Sequence, residues 1–142
     1  MGTSYDTDIV AWAYEQADLL RAGNLSAIDA LDIAEEIEGV AKSEQRELGR
    51  RLAVLLAHLL KWRYQPSRRG KSWLQTIKTQ RHAITYALRR MPSLKHFLKD
   101  EAWLATIWDD ALDAAVRETN LSLPSQSPWT LSEVLDPDFF PD

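Results

Sequence analysis

The sequence predicts an all-α fold, a compact bundle of four main helices with a short additional helix and a C-terminal strap. Three observations carry this. The first 65 residues contain no Pro and are rich in Ala, Leu, Glu and Arg, which lose least on entering a helix. Apolar residues recur in steps of three and four along the chain, and no period-two alternation is long enough to build a sheet. Gly, Asn and Pro stand where such helices would stop.

The first helix is expected from about Asp6 to Ala22, with Ile9, Trp12, Ala13, Leu19 and Leu20 near helical spacing and Gly23-Asn24 as the left-handed stop. Ser26 is the expected N-cap of the second, which extends toward Tyr64. Its apolar seam reads Ala34, Ile37, Ala41, Leu48, Leu52, Leu55, Leu59 and Trp62. Gly39 and Gly49 each weaken a helix by about 1 kcal/mol relative to Ala, so each marks a bend or a close helix crossing, with a break near Gly39 the first candidate. Gln65-Pro66 ends the segment, because the residue before Pro is pushed out of the helical region.

Ser72-x-x-Gln75 reads as a capping box opening the third helix, whose buried stripe is Trp73, Ile77, Ile84 and Leu88. Pro92 ends it. A short helix near Ser93 to Leu98 precedes another from about Asp100 to Thr119, with Asn120 as its stop. The tail, 121–142, holds four Pro and a second capping box, Thr130-x-x-Glu133, and Trp129, Phe139 and Phe140 are expected to dock it onto the bundle. The whole chain, 1–142, therefore reads as a single helical domain.

Composition excludes several classes of chemistry. Of 142 residues 45% are hydrophobic and none is Cys, which favours one packed core and removes disulfides, thiolate metal sites and thiol catalysis. Met1 to Asp8 has two Asp and no apolar stretch, unlike a secretory signal. The strongly apolar run Leu52 to Leu60 has nine residues against roughly 20 needed to cross a bilayer. A cytoplasmic protein without membrane attachment is the expectation.

Charge is strongly segregated. Residues 61–90 contain nine Lys or Arg and no Asp or Glu, a balance of +9 against −13 for the remainder. With Trp62, Tyr64 and Trp73 interleaved, Lys61, Arg63, Arg68, Arg69 and Lys71 form a candidate phosphate-contacting strip with stacking rings. Against this, an acidic remainder can neutralise a basic hairpin internally, and the pI near 5.4 is unlike that of most nucleic-acid modules.

Other polar residues read as structure first. Glu44 falls at the missing step of the second helix's seam, and Arg81, with Gln80, at the corresponding step of the third, so a structural Glu44–Arg81 ion pair is expected. Glu35, Glu36 and Glu38 lie within one turn, yet no His follows a Glu by three as a bundle di-metal site requires; no metal or other cofactor is expected. His58, the one strongly polar side chain in Leu52 to Leu60, reads as a satisfied core His. The five Gly are too dispersed for a phosphate loop or nucleotide fingerprint.

The segments Tyr5 to Gly23, Ile33 to Gly39 (IAEEIEG), Leu55 to Pro66 (LLAHLLKWRYQP), Ser72-Trp73, Gln80-Arg81, Pro92-Ser93-Leu94 and Pro128-Trp129-Thr130-Leu131 together resemble the bacterial family called domain of unknown function number twenty-nine. The resemblance implies an all-helical fold and brings no catalytic or binding residue with it. The residues favour a non-enzymatic binding module whose basic hairpin, 61–90, meets an acidic partner, nucleic acid or protein. The alternative is a metal-dependent or hydrolase-like enzyme using His58 with Glu35, Glu36 and Glu38.

Overall fold

A computed structural model describes residues 2–142, and it is all-α. Its elements are α1 (Ile9–Arg21), α2 (Ala30–Tyr64), α3 (Lys71–Arg90), α4 (Glu101–Thr119) and α5 (Leu131–Leu135), with 3-10 turns at Leu25–Ala27, Pro66–Arg68 and Pro92–Lys99. No described helix is long and apolar enough to cross a membrane. The chain divides into two compact units, one ending at Glu44 and one covering Gln45–Asp142.

In the first unit Asp8 caps α1, its carboxylate accepting from the Ala11 amide at 3.1 Å, and Gly23 at φ +73° takes the left-handed turn after the helix. Trp12 and Gln16 are its buried side chains. Both meet Asp29: Trp12 Nε1 donates to Oδ2 at 2.7 Å, Gln16 Nε2 donates to the same oxygen at 3.3 Å, and the Asp29 amide donates to Gln16 Oε1 at 2.8 Å. The Tyr5 ring meets the Trp12 ring edge-on at 4.7 Å. Ser26 does not cap α2. It sits in the 3-10 turn with its hydroxyl on Asn24, extended Ile28 separates that turn from the helix, and α2 starts after the Asp29 clamp.

The 35 residues of α2 run unbroken, a length of about 52 Å. No break occurs at Gly39, where a Cβ would meet nothing within 4 Å. At Gly49 a Cβ would lie 2.7 Å from Ile107 Cδ1 and 3.3 Å from Trp103 Cζ2, so this glycine lets α2 and α4 approach closely. The expected seam is buried only from Leu48 onward; Ala34, Ile37 and Ala41 are exposed. Among residues 2–44 only Trp12 and Gln16 are buried.

The second unit holds the main core. Leu52, Leu55, Leu59 and Leu60 of α2, Ile77 and Ile84 of α3, Ala111 and Ala115 of α4 and Val134 of α5 are essentially inaccessible to water. Steps of three, four and seven put Leu52, Leu55 and Leu59, Ile77 and Ile84, and Ala111 and Ala115 each on one face of a helix, and Leu60 widens the α2 face. α3 starts at Lys71 with Gly70 before it, so the Ser72–Gln75 capping box is not formed: Gln75 donates instead to Thr79 at 3.2 Å, and the Ser72 carbonyl accepts from Thr76 Oγ1. The Thr130–Glu133 box is formed in both directions. Asn120, at φ 57°, ends α4. The strap beyond it is tied down by Trp108 Nε1 donating to the Ser125 carbonyl at 3.0 Å, and by the Trp108–Trp129 and Trp62–Phe140 ring pairs.

Candidate polyanion-binding face

The acid-free segment 61–90 forms the last turn of α2, the Pro66–Arg68 turn and all of α3. Folding divides its nine cations into two sets. Lys61 is buried, its Nζ 2.5 Å from Glu118 Oε2 and 5.3 Å from the centre of the Trp73 ring. The ammonium's hydrogen bond holds the Glu118 carboxyl below its usual range. Arg69 turns inward as well: Nε donates to the Trp62 carbonyl at 2.6 Å, Nη2 to the Pro141 carbonyl at 3.2 Å, and the guanidinium lies over the Trp62 ring. Arg69 therefore straps the tail.

Arg81 is the third inward cation, 3% exposed. The expected ion pair with Glu44 is not formed. Glu44 is exposed and in no ion pair among the described residues, whereas Arg81 Nε donates to the Val134 carbonyl at 2.8 Å and its guanidinium stacks 5.2 Å from the Phe140 ring. A backbone carbonyl and a ring from the tail occupy the place assigned to a carboxylate. Burial pushes the Arg81 pKa down, opposed by the charge of Asp136.

The remaining six, Arg63, Arg68, Lys71, Lys78, Arg89 and Arg90, are exposed, and none is in an ion pair among the described residues. Three of them form a line. Lys71, Lys78 and Arg89 of α3, with exposed His82, follow at intervals of seven, four and seven, which keeps them within about 40° of one another around the helix axis and spread over about 27 Å. This line extends beyond the strip Lys61, Arg63, Arg68, Arg69 and Lys71 expected from the sequence, and the 7-4-7 spacing in the sequence is its signal.

The interleaved rings do not serve as exposed stacking platforms. Trp62 lies between Phe140 and Arg69, Trp73 lies beneath Lys61, and Trp62 and Tyr64 are half-buried against the core. The exposed ring of the segment is Tyr86 of α3, with the Arg90 guanidinium 5.6 Å from its centre.

The residues of the enzymatic alternative are placed as follows. Glu35, Glu36 and Glu38 are exposed, and Glu36 accepts a hydrogen bond from the Tyr5 hydroxyl, whose pKa that carboxylate raises to about 12. Among the described residues no group of three or more His, Asp or Glu is arranged to hold a metal ion. His58 is half-buried and donates through Nδ1 to the Val54 carbonyl one turn back, at 2.9 Å, a bond that leaves Nε2 as the acceptor nitrogen.

Burial pushes the His58 pKa below its usual 6.5. Above that pH the imidazole is neutral folded and unfolded, so it adds no pH dependence. Below it, the unfolded chain binds a proton that the folded chain resists, so stability is lost until the lowered folded pKa is passed. Between pH 7 and 5, wild type is therefore expected to lose more thermal stability than His58→Gln, measured by calorimetry at each pH. Parallel curves for the two proteins would refute this.

A family model described as domain of unknown function DUF29 matches residues 4–140. No curated protein and no solved structure matches the chain. With the match extending from the segment before α1 to the end of the tail, the chain belongs to the DUF29 family.

Proposed function

We propose that this protein is a non-enzymatic binding module of the bacterial cytoplasm that holds a nucleic-acid backbone along α3. The observation that carries the reading is the set of six exposed cations in 61–90 that pair with no carboxylate among the described residues, three of them aligned with His82 on one face of α3. Point charges spaced along about 27 Å suit a regular polyanion, because each phosphate neutralised releases a condensed counterion. The packing of Trp62 and Tyr64 against the core, and the Arg90 guanidinium over Tyr86, favour contact with the backbone over base stacking. Second-unit charge supports the same partner: Gln45–Asp142 carries 15 Lys or Arg against 11 Asp or Glu, whereas residues 1–44 carry two against ten.

The triple variant Arg68→Ala, Lys71→Ala, Arg89→Ala tests this, since none of the three makes an ion pair. It is expected to keep the thermal stability of wild type, because exposed charges contribute little to folding. Its affinity for a short duplex is expected to fall, and the slope of log affinity against log salt to flatten by roughly 2 to 3. Titration against single- and double-stranded probes that stays flat for wild type at physiological salt would end the nucleic-acid reading.

A further inference from the structure

Midway along the α3 face opens a cleft of about 460 Å³, a volume suited to a small ligand or a group of a larger one. Lys78, Arg81, His82 and Thr85 of α3 form one wall, and Leu135, Pro137 and Asp138 of the tail form the other. Arg81 is the unusual member. Its Nε is satisfied by Val134, but Nη1 and Nη2 are buried with no hydrogen-bond partner among the described residues. A buried guanidinium with unmade bonds is costly, because desolvation is not repaid. The shape of the missing partner is set by the fork itself: two coplanar N–H groups match two oxygens of one anion.

We propose that this cleft seats a single phosphodiester group, two of whose oxygens accept from Arg81 Nη1 and Nη2. The proposal deepens the reading of α3 as a backbone-binding face and rests on it for the source of the phosphodiester. Lys78 and His82 flank the group on the line of cations, and Thr85 adds a hydroxyl donor. Asp138 faces the same space, and its carboxylate opposes a second negative charge, so the cleft selects a singly charged diester over a doubly charged terminal phosphate. Pro137 and Asp138 are exposed while the α3 wall is anchored by Ile77 and Ile84, so the tail turn is the wall that shifts as the anion reaches Arg81.

The test uses the full chain with dimethyl phosphate, acetate and a short duplex as probes, followed by amide chemical shifts. Dimethyl phosphate is expected to move the amides of His82, Thr85 and Asp138 saturably, with acetate weaker. Lys78→Ala, whose side chain is exposed and contributes nothing to the core, is expected to weaken that binding several-fold. Arg81→Met, which keeps the packing on Phe140, is expected to abolish it and to lower duplex affinity about tenfold at fixed salt, the size of a lost hydrogen bond to a charged group. If Arg81→Met does not fold, the Lys78→Ala result decides.

Each outcome has a reading. Duplex binding with full salt dependence but no cleft shifts overturns the phosphodiester seat and leaves the α3 face standing. Cleft shifts from dimethyl phosphate without duplex binding support the seat and remove the polynucleotide. Acetate moving the same amides as strongly as dimethyl phosphate overturns the assignment in favour of a carboxylate.

Discussion

Replacing Trp12 with alanine is expected to melt the first unit while the core of the second survives. Trp12 is one of only two buried side chains in residues 2–44, and Gln16 is the other. Truncating a buried Trp removes about 3 to 5 kcal/mol, a loss that so small a core has no reserve to absorb. The change also removes the indole donor from Asp29 and the edge contact with Tyr5, so the turn into α2 loses its clamp. Trp12→Phe, which keeps a ring and loses the hydrogen bond to the Asp29 carboxylate, should be milder, about 1.5 to 3 kcal/mol from the bond itself. Hydrogen exchange by residue is the measurement: α1 amides should lose protection in Trp12→Ala while those of α3 and α4 keep theirs. Simultaneous loss throughout would show that the two units unfold as one.

The second large effect is an asymmetry between the partners of the Lys61–Glu118 pair. Lys61's side chain is 7% exposed and Glu118's is 59%. Glu118→Ala leaves an ammonium buried beside the Trp73 ring without its carboxylate, and about 2 to 3 kcal/mol is expected to be lost. Lys61→Met removes the buried charge and fills a similar volume, so it should stay within about 1.5 kcal/mol of wild type. Urea unfolding with a shared m-value measures both. A Lys61→Met protein less stable than Glu118→Ala would mean that the ion pair itself, and not avoidance of a lone buried charge, sets the energetics. Acidification provides a second check. The Glu118 pKa is lowered in the folded state, so its contribution is complete above its ordinary 4.5 and is lost as pH falls through the folded value. The stability of wild type and of Lys61→Met should therefore diverge above that range and draw together below it.

Much of the fold was legible because it is set by neighbours in the chain. Gly23 and Asn120 take left-handed conformations that close a helix, Pro66 and Pro92 cannot continue one, and Thr130 and Glu133 satisfy each other's amides within one turn. Local pattern failed where a competing local bond was available. Ser26 bonds Asn24, and Gln75 bonds Thr79, so neither caps the helix it was matched to.

The apolar steps of α2 likewise determined which face is buried, but not for how far. Leu48 to Leu60 found covering helices, while Ala34, Ile37 and Ala41 repeat the same pattern and remain exposed. Periodicity describes a helix face, and burial needs a second surface to meet it.

The candidate site divides in the same way. Composition makes residues 61–90 basic and free of acidic side chains, and helical phase puts Lys71, Lys78, His82 and Arg89 on one face, because charge is additive along the chain and phase is local. Which of those charges stays exposed is set by long-range packing. Lys61 meets Glu118, Arg69 meets Pro141 and Arg81 meets Val134 across 57, 72 and 53 residues of chain. No spacing rule reaches that far; packing α4 and the tail against the hairpin selects the partners, and with them the cations that remain for a ligand.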